Sequence, residues 1–512
     1  MNKTAKGIIA LTAVLALLGG GYAVLRTTEP KEGEENISSS SEVSDSKQSV
    51  MIVSDDIPAD GEESSADRGY DVGVIKAVTV KNKEGELHVI EKTRQSEDSA
   101  ATYTLEGYDD VAMKETMIGT LANSINELSS IDVIEENCTD LAKFGLDSPL
   151  FEVEIEYESG KKLKLLVGNE APADDATYVM LDGSDTVYTV STSTFSNYGK
   201  KDIDFVETTI LESPEEMPVV NSVRIQREDM ESDILLEYDK KSNDSKLSGG
   251  TSATHVMVEP TSAYLAVEKA TDITTGMFGL SAEEVYCVHC GDSDIAEAGL
   301  KEPFCTVTMK CADGNDYVLL MSEPFTDSEH GKCCYAMLEG GNVIYTVSTD
   351  KAKWAVIQPV DIASKIFIAS YVWNISDLKV TAGSENGEFK LTKKTDEEKD
   401  SYTADDFSAT YKDKTISSER FRKFYSFLIS ANAENFALGE NVPDSEPLAS
   451  VEYTDSYNKE TVKLDFYNYS SMTALIAVNG ESKFFITKSY VDTLIKNIKS
   501  IESEDEFITT WS

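Results

Sequence analysis

The chain is poor in bases and in the residue types that carry most catalytic chemistry. Its 512 residues hold 46 lysines and arginines against 92 aspartates and glutamates, and only four histidines. The resulting formal net charge of −46 repels phosphate backbones and anionic headgroups, so nucleic acid is excluded as a partner of the folded part. The plain use of such a surface is to keep an exported protein soluble. His88, His255, His289 and His330 are scattered, and none has the HExxH spacing of a zinc protease. No GxSxG elbow, no P-loop and no GxGxxG after a strand occurs. The acidic pairs Asp55-Asp56 and Asp174-Asp175 do not fit an EF-hand loop and read as solvated loops. No catalytic residue, no metal and no cofactor is therefore expected, and the chain is read as non-enzymatic.

Cysteine is scarce except in one region. Cys138 stands alone, whereas Cys287, Cys290, Cys305, Cys311, Cys333 and Cys334 fall within 48 residues of one another. The run Cys287-Val288-His289-Cys290 with the remaining thiols has the composition of a zinc or redox site. No second C-x-x-C accompanies it, and whether these cysteines pair as disulfides is left open by the sequence.

Only one long apolar run exists. Gly7–Leu25 is nineteen residues without a charge, which at about 1.5 Å per residue just crosses a bilayer core. Lys3 and Lys6 precede it, which places the N-terminus in the cytoplasm and the bulk outside. Residues 1–26 are thus expected to be a cytoplasmic stub and single transmembrane anchor, with a cleaved signal near Gly19-Gly20-Gly21 as the alternative. Anchoring through a processed N-terminal cysteine is not expected, since no cysteine precedes Cys138. Residues 27–70 turn to Ser, Glu, Asp and Gly and are expected to be a disordered acidic tether.

What the chain does have is a repeat. Tyr178–Thr192 reads YVMLDGSDTVYTVST, Tyr335–Thr349 reads YAMLEGGNVIYTVST, and a fainter copy, LIAVNGESKFFITK, lies at Leu475–Lys488. Each is a strand, an acidic or Asn residue followed by Gly, and a second strand, which is the pattern of a β-hairpin. The surroundings recur too. Pro149, Pro303 and Pro447 each precede an alternating stretch, of which Phe151, Val153, Ile155 and Tyr157 against Glu152, Glu154 and Glu156 is the clearest. Apolar residues at helical spacing precede these stretches: Met117, Ile118, Leu121, Ile125 and Leu128 in the first copy, Ala263–Phe278 in the second, and Phe421, Phe424, Tyr425 and Leu428 with Ser418 as cap in the third. A terminal helix is expected at Tyr490–Ile498. The reading is an α+β chain: an N-terminal transmembrane helix, then tandem units of antiparallel or mixed sheet, each with one covering amphipathic helix. The units are 71–210, 211–365 and a diverged 366–512. In this register Cys305 falls where the first unit has Phe151 and Cys311 where it has Tyr157, so both read as small buried hydrophobes rather than ligands.

The residues Phe144-Gly145-Leu146-Asp147-Ser148-Pro149, Val167-Gly168-Asn169, Tyr178–Leu181, Val187–Val190, Gly299–Pro303 and Tyr345–Val347 resemble the bacterial family called domain of unknown function 4340, over roughly Val72–Trp354. The resemblance implies an exported, membrane-anchored protein of the cell envelope, encoded near gliding-type ABC transporter components. It carries structural words and no catalytic residue. The expected function is a membrane-anchored, extracytoplasmic, non-enzymatic protein, an accessory of an ABC-type transporter, with the membrane and such a transporter as partners. The alternative is a module that binds an envelope ligand or polymer in a cleft lined by Tyr178, Tyr188, Tyr335 and Tyr345.

Overall fold

The computed structural model describes residues 50–53, 75–94, 101–240 and 253–510, apart from 127, 159, 173–174, 396, 398, 400–401 and 504. Apolar alternation builds three large sheets of eight, ten and nine strands, every pairing of which is antiparallel. Strand residues outnumber helical ones, 42% against 17%, so the molecule is mostly β. This corrects the α+β expectation, and the mixed-sheet option falls with it. The physical reason lies in the helical segments, whose apolar spacing continues into short strands. The helix expected over Met117–Leu128 ends at Asn123, and Leu128–Ser129 is extended. The one expected over Ala263–Phe278 is confined to Val267–Thr274, because Ala263–Tyr264 pairs with Val256-Met257.

Among the described residues no helix is long and apolar enough to cross a membrane, so the transmembrane helix of the expected fold finds no support. The apolar run Gly7–Leu25 lies outside the described residues, as do Asp55-Asp56. Within the stretch expected to be a tether, Met51–Val53 forms a strand against Leu128–Ser129, and Ile52 is buried in the core.

The three sheets share one strand order. Each opens with a meander, of three strands in the first sheet and four in the other two, beginning at Ile75–Asn82, Val220–Arg227 and Ile375–Ala382. A helix follows: Glu115–Asn123, Val267–Thr274 or Ser418–Leu428. Next comes a short strand (Asp132–Glu135, Glu284–Val288 or Asn435–Phe436), then a four-strand meander that starts two residues after the recurrent proline, at Phe151, Cys305 and Ala449. The first strands of the two meanders pair with each other, and the short strand returns to pair with the last strand of the hairpin. That hairpin is the recurrent word itself. Asn479 and Gly480, at φ 51° and 88°, make a two-residue turn between Thr473–Val478 and Glu481–Thr487, the left-handed pair that suits the strand twist.

Each helix covers one face of its sheet. Phe421, Phe424, Tyr425, Phe427 and Leu428 are all buried, each contributing about 1.5–3 kcal/mol of burial. The cap is Ser417, whose Oγ accepts from the Arg420 N–H at 3.4 Å, while Ser418 Oγ donates to the Phe407 carbonyl at 2.8 Å. The opposite faces carry smaller clusters, around Phe144 and Met180, Leu300 and Ile344, and Tyr467 and Leu475. The glycines of the recurrent words are fixed by close approach. A Cβ on Gly168 would meet the Phe144 carbonyl at 2.2 Å, and Gly145, at φ 68°, lies against the Asn169 side chain.

Backbone hydrogen bonds join the sheets in series. Gly279 N donates to the Leu211 carbonyl at 2.7 Å and Ala282 N to that of Thr208 at 2.7 Å across the first junction. At the second, the connecting segment is held on both sides: Ala266 N donates to Ile362 at 2.8 Å and Ser364 N to Tyr264 at 2.9 Å, and Ala433 N of the third unit donates to Lys365 at 2.8 Å. One buried apolar cluster runs through all three sheets, from Ile52 to Ile501.

Candidate functional site

The cysteines do not converge. Cys333 and Cys334 are adjacent on one strand, so their side chains leave opposite faces. Cys305, Cys311 and Cys334 belong to the main core, whereas Cys287 and Cys290 pack under Met337 and Ile344 on the other face. Cys305 Sγ donates to the Trp354 carbonyl at 3.6 Å. Burial pushes the Cys305 and Cys334 thiols up to about 12, and burial with the neighbouring Cys287 does the same for Cys290. All seven thiols are free, and among the described residues no group of three or more His, Cys, Asp or Glu could hold a metal. His289, of the same run, turns away to Asp110 of the first sheet at 3.0 Å. Glu152, Glu154 and Glu156 form ion pairs with Lys164, Lys162 and Lys76 of neighbouring strands, at 2.8, 2.9 and 2.6 Å, a solvent-facing ladder.

Nor do the hairpin tyrosines line a common cleft. Tyr178 lies in the outer cluster of the first sheet, edge-on to Phe144 at 4.8 Å, while Tyr188 packs on the main core. Tyr335 lies between the tilted rings of Tyr286 and Phe325, at 4.3 and 4.8 Å, and Tyr345 is buried in the main core. The cause is the period of two. Tyr178 is directly opposite Thr189, so its neighbour Tyr188 points to the other face, and Tyr335 and Tyr345 stand in the same relation.

A different cleft is present, between the edge of the second sheet and the third. Its volume is about 360 Å³, within the range that holds small ligands. The wall from the second sheet is Asp239, Val256 and Ser262–Tyr264. The segment 365–370 joins the two sheets and lines the cleft with Lys365, Ile366, Phe367, Ala369 and Ser370. The third sheet contributes Tyr453, Asp455, Asn458, Glu460, Lys483 and Phe484, together with Val462 and Val478. Buried Asp455, Tyr453 and Phe367 mark the inner end, and exposed Tyr264 and Glu460 the mouth.

The electrostatics of the cleft are uneven. Burial and then the carboxylates of Glu460, Asp239 and Asp455 raise the Tyr264 hydroxyl above its ordinary value, so three acids gather around that side chain. Tyr453 is pushed up to about 12, chiefly by burial. Burial also lowers the Lys483 ammonium, which nearby Glu481 partly offsets. The cleft can therefore place an organic group against rings and offer it fixed charges at defined points.

None of these cleft residues was a candidate from sequence. The signal was nonetheless there. Extending the third copy of the proline-led strand two residues past Tyr453 reaches Asp455, at the position held by Tyr157 in the first copy and Cys311 in the second.

The model of a family described as Domain of unknown function (DUF4340) matches residues 104–303. The match is narrower than the expected resemblance: it takes in the Phe144–Pro149 and Gly299–Pro303 words and ends before Tyr345–Val347. No curated protein and no solved structure matches the chain.

Proposed function

Taking the match of residues 104–303 to that family as premise, we propose that this chain is a non-enzymatic, extracytoplasmic binding protein of the cell envelope. It takes a ligand in the cleft between its second and third sheets and works beside an ABC-type transporter as an accessory. The observation that carries the reading is the cleft itself. It is bounded by two sheets of the same topology, and the segment between them is hydrogen-bonded through its backbone to the second unit at Tyr264 and Ala266 and to the third at Ala433, so it is a preformed recess and not a gap between loose bodies. The transporter context rests on the family resemblance alone. The non-enzymatic reading is supported by the structural use of three of the four histidine rings. His255 Nε2 meets the Val220 carbonyl at 2.9 Å, His88 Nδ1 meets Thr79 Oγ1 at 3.2 Å, and His289 meets Asp110.

The test compares the full chain with a cleft-filled variant, Ala263→Trp. Envelope fractions and detergent-solubilised membranes are passed over each. A ligand or transporter subunit retained by the wild type and lost from the variant is the expected outcome. Identical retention by both proteins, or recovery of no membrane protein by either, overturns the reading.

A further inference from the structure

Within this cleft the fold leaves one strong acceptor unfinished. Asp455 is 1% exposed. Its Oδ1 accepts from the N–H of Tyr457 at 2.8 Å and of Asn458 at 3.3 Å, but among the described residues its buried Oδ2 has no hydrogen-bond partner. A buried carboxylate oxygen without a donor or a cation is costly, and native structures normally satisfy such atoms.

The repeat shows that the fold itself does not ask for this carboxylate. Tyr157 pairs with Ile75, Cys311 with Val220 and Asp455 with Ile375, each beside a register shift in the first strand of its sheet. Two of the three copies fill the position without an acid. The acid occurs in the copy whose strand end opens into the cleft.

The surroundings define what would complete it. The rings of Tyr264, Tyr453, Phe367 and Phe484 line the cleft, and Asp239 and Glu460 add negative potential near its mouth. Aromatic faces favour a cation and its methylene stem. We propose that the cleft binds a primary ammonium group, seated on Asp455 Oδ2 with its carbon chain against these rings. The inference rests on the reading of the cleft as a binding site. An ammonium fits better than a guanidinium, because Oδ1 is already engaged and the planar fork needs both oxygens of a carboxylate. It fits better than calcium, which takes six to eight oxygen ligands, whereas the described residues hold no cluster of three or more ligating side chains. Lys365 and Lys483 also line the cleft, so a ligand with an anionic group remote from its amine is accommodated as well.

The experiment is calorimetric titration of the full chain with cadaverine and with its uncharged isostere 1,5-pentanediol. Saturable binding of cadaverine and none of the diol is expected. Asp455→Asn should weaken cadaverine by about tenfold or more, the worth of a charged hydrogen bond. Glu215→Gln, an exposed change outside the cleft, should leave it unaltered. Tyr264→Ala at the open mouth guards against a folding defect in the first variant, and should weaken binding about two- to fivefold. Equal binding of cadaverine to wild type and Asp455→Asn, or of diol and diamine to wild type, overturns the ammonium class. If cadaverine fails but acetate or N-acetylglucosamine binds the wild type and not Ala263→Trp, the class is wrong and the cleft reading survives. If no probe and no envelope fraction distinguishes wild type from Ala263→Trp, the cleft reading itself is lost.

Discussion

His289 Nε2 lies 3.0 Å from Asp110 Oδ1, so a turn of the second sheet is clasped by a loop of the first. Asn342 Nδ2 donates to the other oxygen at 2.6 Å, and the Tyr108 ring sits 5.2 Å from the imidazole. The backbone of His289 is left-handed, at φ 52°. The histidine of the Cys-x-His-Cys run thus serves a junction between sheets.

That junction should weaken in acid. The hydrogen bond from His289 is the largest influence holding the Asp110 carboxyl below its ordinary value. A carboxyl depressed in the folded state contributes stability above its unfolded pKa and loses it as pH falls through the folded one. Hydrogen exchange at Thr208–Leu211 and Gly279–Ala282 should therefore be pH-insensitive in opening free energy down to about pH 4 and accelerate below it. Asp110→Asn should remove that extra acid dependence. An unchanged acid response in the variant would show that the clasp is incidental.

Replacing Asp455 should separate stability from binding. Oδ2 is a buried oxygen that no described residue satisfies, and an amide in its place keeps the acceptor used by Tyr457 and Asn458. Denaturant unfolding of Asp455→Asn is expected to show equal or greater stability, by up to about 1 kcal/mol, in the protein that has lost amine binding. A loss of several kcal/mol would instead make Asp455 a structural residue.

The thiols should be inert in the native state. With Cys290, Cys305 and Cys334 pushed up to about 12, almost none is thiolate at pH 8. Iodoacetamide at that pH should leave these residues unmodified in the folded chain and label them after denaturation, as read by peptide mass spectrometry. Chelator should leave the melting temperature unmoved. Rapid native labelling of Cys290 or Cys305 would reopen the redox reading.

The glycine words should be sterically strict. Gly168→Ala drives a methyl to within 2.2 Å of the Phe144 carbonyl and should cost about 1–3 kcal/mol in chemical denaturation, as overpacking does. Gly183→Ala, at φ 82° but with open space around it, should cost about 1 kcal/mol from backbone strain alone. A Gly168 variant no less stable than the Gly183 one would mean that the contact relaxes freely.

The repeat was legible because prolines and hairpin turns are local signals: Pro149, Pro303 and Pro447 fix the strand starts at Phe151, Cys305 and Ala449. That register also assigns Cys305 and Cys311 to the core, where both are buried. Apolar spacing predicts more helix than forms, because it cannot show where a helix gives way to a two-residue strand, as after Asn123. The cleft was invisible for a different reason. Tyr264 and Asp455 are 191 positions apart, and an aspartate at a strand end looks like a solvated turn until its pairing with Ile375 turns it inward.

The common register at Tyr157, Cys311 and Asp455 means that the chain contains its own substitution series. A phenol, a thiol and a carboxylate are each housed at the end of the same strand by the same neighbouring pairings. Grafting experiments can therefore run within one molecule: Cys311→Asp asks whether a second recess can be charged, and Asp455→Cys asks whether the third copy folds when returned to the second one's chemistry.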